Sequence, residues 1–301
     1  MASLAGAGAA GQFSYGSFTQ RNIGFVTEAE QRRIRDARVF VCGVGGMGGA
    51  ALLSLVRAGV GHLAFADIDR FEVSNLNRQV FAFLHTVGVN KVEAVHRQLL
   101  DINPEVEIEN WGVDWVDQVD ALLQRYPIAI NGMDDIRCGI LLYRTARERG
   151  ATVIDAYTSP LPSVTVVRPH SPRPEERLHY PSVGKNWRDI SKEDALVCLL
   201  REIEYVMTHS SSSEHIDLGI AAEVVAGTRS RMSFAPMVIT TGNLMCFEAI
   251  NLILGWRSGT DHRGYFFNPW TARVERPRSP PVAWATRLVV RRFLKRMIDG
   301  R

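Results

Sequence analysis

Five glycines fall within the ten residues "VCGVGGMGGA", and three of them, Gly43, Gly45 and Gly48, have the spacing Gly-x-Gly-x-x-Gly. An apolar run, "RVFVCGV", precedes them and a helix-like one, "AALLSLVRAGV", follows. A strand, a tight turn and a helix N-terminus in that order offer bare N–H groups to an anion, and glycine lets the backbone approach it closely. The turn alone suits a dinucleotide and ATP equally. An acidic residue about twenty positions further on, the place for a ribose contact, is present in "FADID" as Asp67 or Asp69.

The residues that follow narrow the ligand. "DRFEVSNLNRQVFAFLHTVGVNKVEAV" puts Asn75, Asn77, Arg78 and Gln79 in a loop and Lys91 at the start of a helix. "INGMDDIR" then puts Asp134 and Asp135 at the C-terminal end of a strand, where doubly wound sheets bind their ligands. Asp135 reads as the N-cap of the helix that begins at 136. Arginine, lysine and a free carboxylate around one anion loop suit a triphosphate with a magnesium ion. The cations offset phosphate charge and the carboxylate holds the metal. Hydride transfer needs no such set.

These residues require a scaffold of alternating strands and helices. Strand-like runs at 38–44, 62–68, 105–111, 128–133 and 152–157 alternate with helical patterns at 48–60, 88–102, 116–126 and 136–149. This order predicts an α/β fold with a doubly wound, mainly parallel sheet of Rossmann type. A further strand at 163–169 leads into a Pro- and charge-rich stretch, a helix near 193–207 and a serine-rich loop. We read 170–235 as a long crossover excursion that covers the substrate. A helix at 237–255 and two short strands complete a single domain spanning 21–277. Residues 1–20 are expected to form a flexible N-terminal arm. Residues 278–301 read as a basic amphipathic helix that could dock on the domain, grip an acidic partner or lie on a membrane surface.

Composition sets further bounds. Of 301 residues, 46% are hydrophobic and 22% charged, and the net charge of +3 is too small to imply nucleic acid by itself. The four cysteines include no C-x-x-C pair, so neither a disulfide framework nor a structural zinc site is expected. Cys198 falls on the apolar face of a helix, as a core thiol would. The N-terminus lacks the basic and apolar regions of a signal peptide. The apolar run 237–255 contains Asn243, Glu248 and Asn251, which favours a buried helix over a membrane span. A cytoplasmic location is the expectation.

At "GVGGMGG", "DIDRFEVSNLNRQ", "VGVNKVEA", "INPEVEI" and "GMDD" the sequence resembles the ThiF/MoeB-type adenylyltransferases, relatives of the ubiquitin-activating enzymes. The resemblance runs from about Arg21 to Gly255. It implies a homodimer that activates a carboxylate with ATP, often the C-terminus of a small ubiquitin-like protein or peptide, forming an acyl-adenylate and releasing pyrophosphate. A small-molecule or transfer-RNA-linked carboxylate, or a non-catalytic scaffold of the same fold, are the alternatives. By resemblance, Gly43, Gly45 and Gly46 line the nucleotide, Asp67 binds the ribose, Asn75 and Arg78 bind phosphate, and Lys91 contacts phosphate as charge moves to the leaving group. Asp134 binds magnesium, and Arg21 reaches across the dimer into the partner's ATP site. The sequence departs from many relatives in lacking paired C-x-x-C zinc motifs and in carrying Asn131 where an aspartate is common.

Overall fold

The structure, a computed structural model, describes residues 13–299, with side chains through Lys295. Two short helices, α1 (Tyr15–Thr19) and α2 (Glu28–Asp36), lead into the alternating half. That half comprises β1 (Arg38–Cys42), α3 (Gly46–Ala58), β2 (His62–Ala66), α4 (Lys91–Ile102), β3 (Glu107–Trp111), α5 (Trp115–Arg125), β4 (Ile128–Asn131), α6 (Ile136–Arg149) and β5 (Thr152–Asp155). Its five strands are all parallel, in the order β3-β2-β1-β4-β5. Val39–Cys42 of β1 and all of β4 are buried, as central parallel strands covered on both faces must be.

The sheet continues with β6 (Ser163–Val167), antiparallel to β5, and with the hairpin strands β7 (Tyr265–Asn268) and β8 (Arg273–Glu275). The excursion between β6 and β7 contains α7 (Pro174–Arg177), α8 (Lys192–His209) and α9 (Leu218–Val225), followed by α10 (Ala235–Leu254). The final helix is α11 (Pro280–Asp299). The mainly parallel, doubly wound reading holds, and the reversal of direction at β6 marks where the regular alternation ends. The helix α9 is additional to the sequence reading, which gave that stretch no helix.

The core has one layer on each face of the sheet. On one face α3 and α10 pack on β1 and β4 through Leu52, Leu55, Met245 and Ala249. On the other, α5 and α6 pack through Leu122, Leu123 and Leu142. Among the described residues, α10 is long and apolar enough to cross a membrane, yet it lies against α3. The helices touch so closely that a Cβ on Gly242 would stand 2.5 Å from the Met47 carbonyl oxygen.

The arm expectation for 1–20 needs correcting from Tyr15 onward; residues 1–12 lie outside the described residues. Helix α1 docks because the Tyr15 hydroxyl donates to the Gly59 carbonyl at 2.7 Å and accepts from Gln31 Nε2 at 2.8 Å. At the other end, α11 docks on α8. Glu204 of α8 holds Arg291 at 3.0 Å and Arg287 at 3.6 Å, while Ala283 and Val290 are buried.

Candidate functional site

Strand order reverses about β1, since the chain leaves it toward β2 and returns through β4. The loops after β1 and β4 therefore diverge at a crevice, the usual ligand position in such sheets. Their backbones are in contact. A Cβ on Gly48 would lie 1.9 Å from the Gly43 carbonyl oxygen, and one on Gly43, whose φ is +81°, would lie 2.8 Å from Gly132. Gly43, Gly48 and Gly132 thus close the joint between β1, α3 and β4, and the visible duty of Gly43 is this packing. Gly45 and Gly46 start α3, and no side chain caps that helix. Its first-turn N–H groups are the anion-binding feature.

Asp67 braces the turn. Its Oδ2 accepts from Val44 N and its Oδ1 from Asp69 N, both at 2.9 Å. Lys91, the first residue of α4 after the Asn90 N-cap, has its ammonium 2.9 Å from Asp69 and 3.9 Å from Asp67. With only 7% of the Lys91 and Asp67 side chains exposed, this is a partly buried charge cluster beside the glycine turn. Arg78 runs past Gly46 and donates to the Ser74 carbonyl and the Asn77 amide oxygen. Asn75 is buried and spent locally: its Oδ1 accepts from Glu72 N at 3.1 Å, fixing the turn that presents Arg78.

The spacing did not single out Gln79 for a role. It is buried, its Nε2 lies 3.5 Å from where a Cβ on Gly45 would stand, and its Oε1 has no partner. A buried amide oxygen left without a partner beside this turn calls for a donor from outside the described residues. The signal available in the sequence was its place directly after Arg78.

Asp134 is exposed beyond β4 with no hydrogen bond or ion pair among the described residues, whereas Asp135 caps α6 by accepting from Arg137 N and Cys138 N. No group of three or more His, Cys, Asp or Glu side chains among the described residues is placed to hold a metal. One free carboxylate is nonetheless a donor set that fits magnesium, which takes its other ligands from waters and substrate phosphates.

Arg21 is not in this group. It is exposed on a turn whose Asn22 side chain donates to the Ala58 carbonyl, at the C-terminal end of α3. The glycine turn is at the other end of that helix of 13 residues, about 20 Å away. Arg21 cannot reach its own chain's site.

From Asp134 a cavity of about 430 Å³ runs beneath α7 and α8, with Asn131, Asp155, Tyr157 and Glu202 on its walls. Asp155 accepts from Tyr143 Oη at 2.6 Å and Asn131 Nδ2 at 2.9 Å. Burial pushes its carboxyl up to about 7. Burial also raises all four thiols: Cys138 to about 11, Cys198 and Cys246 to about 12, and Cys42 well above its usual range.

The sequence profile of the ThiF family matches residues 19–283. This chain belongs to the ThiF family. Over 107 residues it is 38% identical to ubiquitin-like modifier-activating enzyme 5 of Caenorhabditis elegans, covering 35% of this chain and 25% of that one. Over 113 residues it is 33% identical to the adenylyltransferase and sulfurtransferase MOCS3 of Culex quinquefasciatus, covering 37% and 26%. The chain thus spans about a quarter of the length of these curated relatives. The solved structure of E. coli MccB with ATP superposes with a TM-score of 0.57 at 20% identity, over 83% of this chain and 67% of that one. That likeness is one of fold.

Proposed function

We propose that this ThiF-family chain is an ATP-dependent adenylyltransferase that converts a carboxylate into an acyl-adenylate and releases pyrophosphate. The observation that carries the reading is the meeting, at one switch point, of an uncapped glycine turn, the Asp67–Lys91 charge cluster beside it and an exposed Asp134 that lines the cavity. An acid such as Asp67 would serve a dinucleotide as well; the lysine beside it and the exposed Asp134 are what a triphosphate with its metal would use. The names of the curated relatives support it, as does the fold shared with MccB, a protein solved with ATP.

In this reading the carboxylate oxygen attacks the α-phosphorus in line, and the bond from that phosphorus to the bridging oxygen of pyrophosphate breaks. Asp67 orients the ribose hydroxyls from a position fixed by two backbone N–H groups. Arg78 and the first turn of α3 face the phosphates, and Gln79 lies beside them. Lys91 is held next to Asp67, from where its ammonium offsets charge developing toward the leaving group. Magnesium at Asp134 would neutralise phosphate charge. Arg21 would act in the site of a second copy, which makes a homodimer part of the proposal. The carboxylate would be the C-terminus of a small ubiquitin-like protein or a peptide.

The test is carboxylate-dependent exchange of labelled pyrophosphate into ATP, run beside calorimetry with ATP and NAD. The expected result is magnesium-dependent ATP binding, exchange with the cognate carboxylate, and weak or absent NAD binding. Tight NAD binding without ATP binding would overturn the assignment.

A further inference from the structure

The cavity behind Asp134 is larger and more charged than a bare carboxylate terminus requires. At about 430 Å³ it falls within the range of pockets that enclose whole small molecules. Its walls hold two carboxylates, Asp155 and Glu202. Every hydrogen bond to them comes from a neutral donor. Tyr143, Asn131 and the Ala156 N–H bind Asp155, and the Thr158 N–H binds Glu202. Neither has an ion-pair partner within 4.0 Å among the described residues.

No cation is paired with either carboxylate among the described residues. The cation placed deepest is Arg177, which donates to Tyr157 Oη at 2.8 Å and stacks 4.3 Å from the Tyr205 ring centre. Its Nε and Nη1 are enclosed without hydrogen-bond partners, so they are turned away from the open space. Arg177, occupied by aromatic rings, and Arg231, which acts on Glu202 from an exposed position without an ion pair among the described residues, are the cations nearest the two carboxylates. Lys192 and Arg231 are exposed at the rim, and Arg137 and Arg173 are paired with Asp135 and Glu176.

A second observation also points to a ligand. Tyr180 is 4% exposed and lines the cavity, and the charged groups that act on its hydroxyl are Glu202, Arg177 and Asp155. That hydroxyl makes no hydrogen bond among the described residues. Unlike Arg177 Nε and Nη1, this hydroxyl is not enclosed but reaches the cavity space, beside two carboxylates without ion-pair partners, where a ligand's donor would meet it.

We propose that this cavity receives a cationic side chain, an amine or guanidine, on the terminal residue of the acyl substrate whose carboxylate is activated beside Asp134. The inference rests on the carboxylate-activation reading for the placement of the reacting group. An ammonium gives Asp155 and Glu202 an ion-pair partner and Tyr180 a donor. Its aliphatic stem packs on Tyr143 and Tyr157, whose rings also favour a nearby cation. Burial raises the proton affinities of Asp155 and Glu202, and an entering cation would lower them again.

The experiment is calorimetry on the full chain with N-acetyl-L-lysine, N-acetylglycine and N-acetyl-L-glutamate, with and without magnesium and a non-hydrolysable ATP analogue. The lysine compound should bind roughly tenfold or more tighter than the glycine one, because a desolvated charge pair forms. The glutamate compound should bind weakest. Glu202→Gln should abolish that preference while the melting temperature and affinity for the ATP analogue stay unchanged, and Tyr180→Phe should reduce it. Equal binding of the lysine and glycine compounds, no binding of the lysine compound, or a preference that survives Glu202→Gln would each overturn the inference. Pyrophosphate exchange separates the two readings. Exchange with other carboxylates but no lysine preference removes the pocket inference alone, and lysine preference without exchange on any carboxylate removes the adenylation reading alone.

Discussion

Lys91 cannot be removed neutrally, because its ammonium stands 2.9 Å from Asp69 and 3.9 Å from Asp67. Lys91→Ala leaves the enclosed Asp67 without its cation, and we expect a lower melting temperature, equivalent to about 1–3 kcal/mol. Pyrophosphate exchange should fall about a hundredfold or more with it. Asp134→Asn should separate the two effects: the side chain is exposed and bonds nothing among the described residues, so stability stays while magnesium-dependent ATP affinity drops, as calorimetry with and without the metal would show. Asp155 gives a pH dependence with a definite sign. Burial raises its carboxyl from 3.8 to about 7, so the folded chain holds this proton more tightly than the unfolded one. Its contribution to stability is fully present below the unfolded value and is lost as pH rises through the folded one. Across that window the melting temperature of Asp155→Asn should decline less than that of the parent. Equal slopes would show that Asp155 titrates normally.

At the scale of elements, the joint between β1, α3 and β4 is the least forgiving part of the fold. A Cβ on Gly48 would meet the Gly43 carbonyl oxygen at 1.9 Å, and neither backbone is free to retreat. Gly48→Ala should cost about 1–3 kcal/mol or more, read as a large drop in melting temperature or loss of soluble protein. The α8–α11 contact is gentler, resting on Glu204 beneath Arg287 and Arg291. Glu204→Ala should speed amide exchange along 280–299 and leave pyrophosphate exchange unchanged. The parallel half was legible because most of its strands are apolar runs and its turn residues have fixed spacings, although β3, "EIENW", is half polar. Three features were not. The α9 sequence "LGIAAEVV" is apolar except for Glu223 and follows a serine run, so no helical stripe marks it. Asn75 was assigned to phosphate by resemblance, but the turn consumes its side chain. The cavity draws on β4, β5, α6, α7 and α8, and no spacing in the chain records that Tyr180 and Glu202 meet Asp155.

At the scale of the whole molecule, the position of Arg21 decides what a single chain can do. It lies at the far end of α3 from the glycine turn, so any part it takes in the reaction belongs to a neighbour's site. Arg21→Ala and Lys91→Ala proteins should each be inactive, and mixing them under conditions of subunit exchange should restore part of the activity. A fully active Arg21→Ala protein would remove Arg21 from the site. The thiols set a second limit. Cys198, on the helix that roofs the cavity, is wholly buried, and burial foremost, with Asp194 next, pushes it up to about 12. A nucleophilic thiol must be accessible and ionised, so no thioester should form on this chain. Incubation with ATP and substrate should give no thiol-cleavable adduct, and one that vanishes in Cys198→Ala would contradict this. The cavity itself is made of two unlike parts. Its floor, from Asn131 to Asp155, belongs to the strands that also fix the glycine turn, whereas its roof is an excursion between β6 and β7 that shares no strand with them. Mutation can therefore rewrite the roof freely while the floor stays constrained, so one phosphate-handling frame can inherit many different substrates.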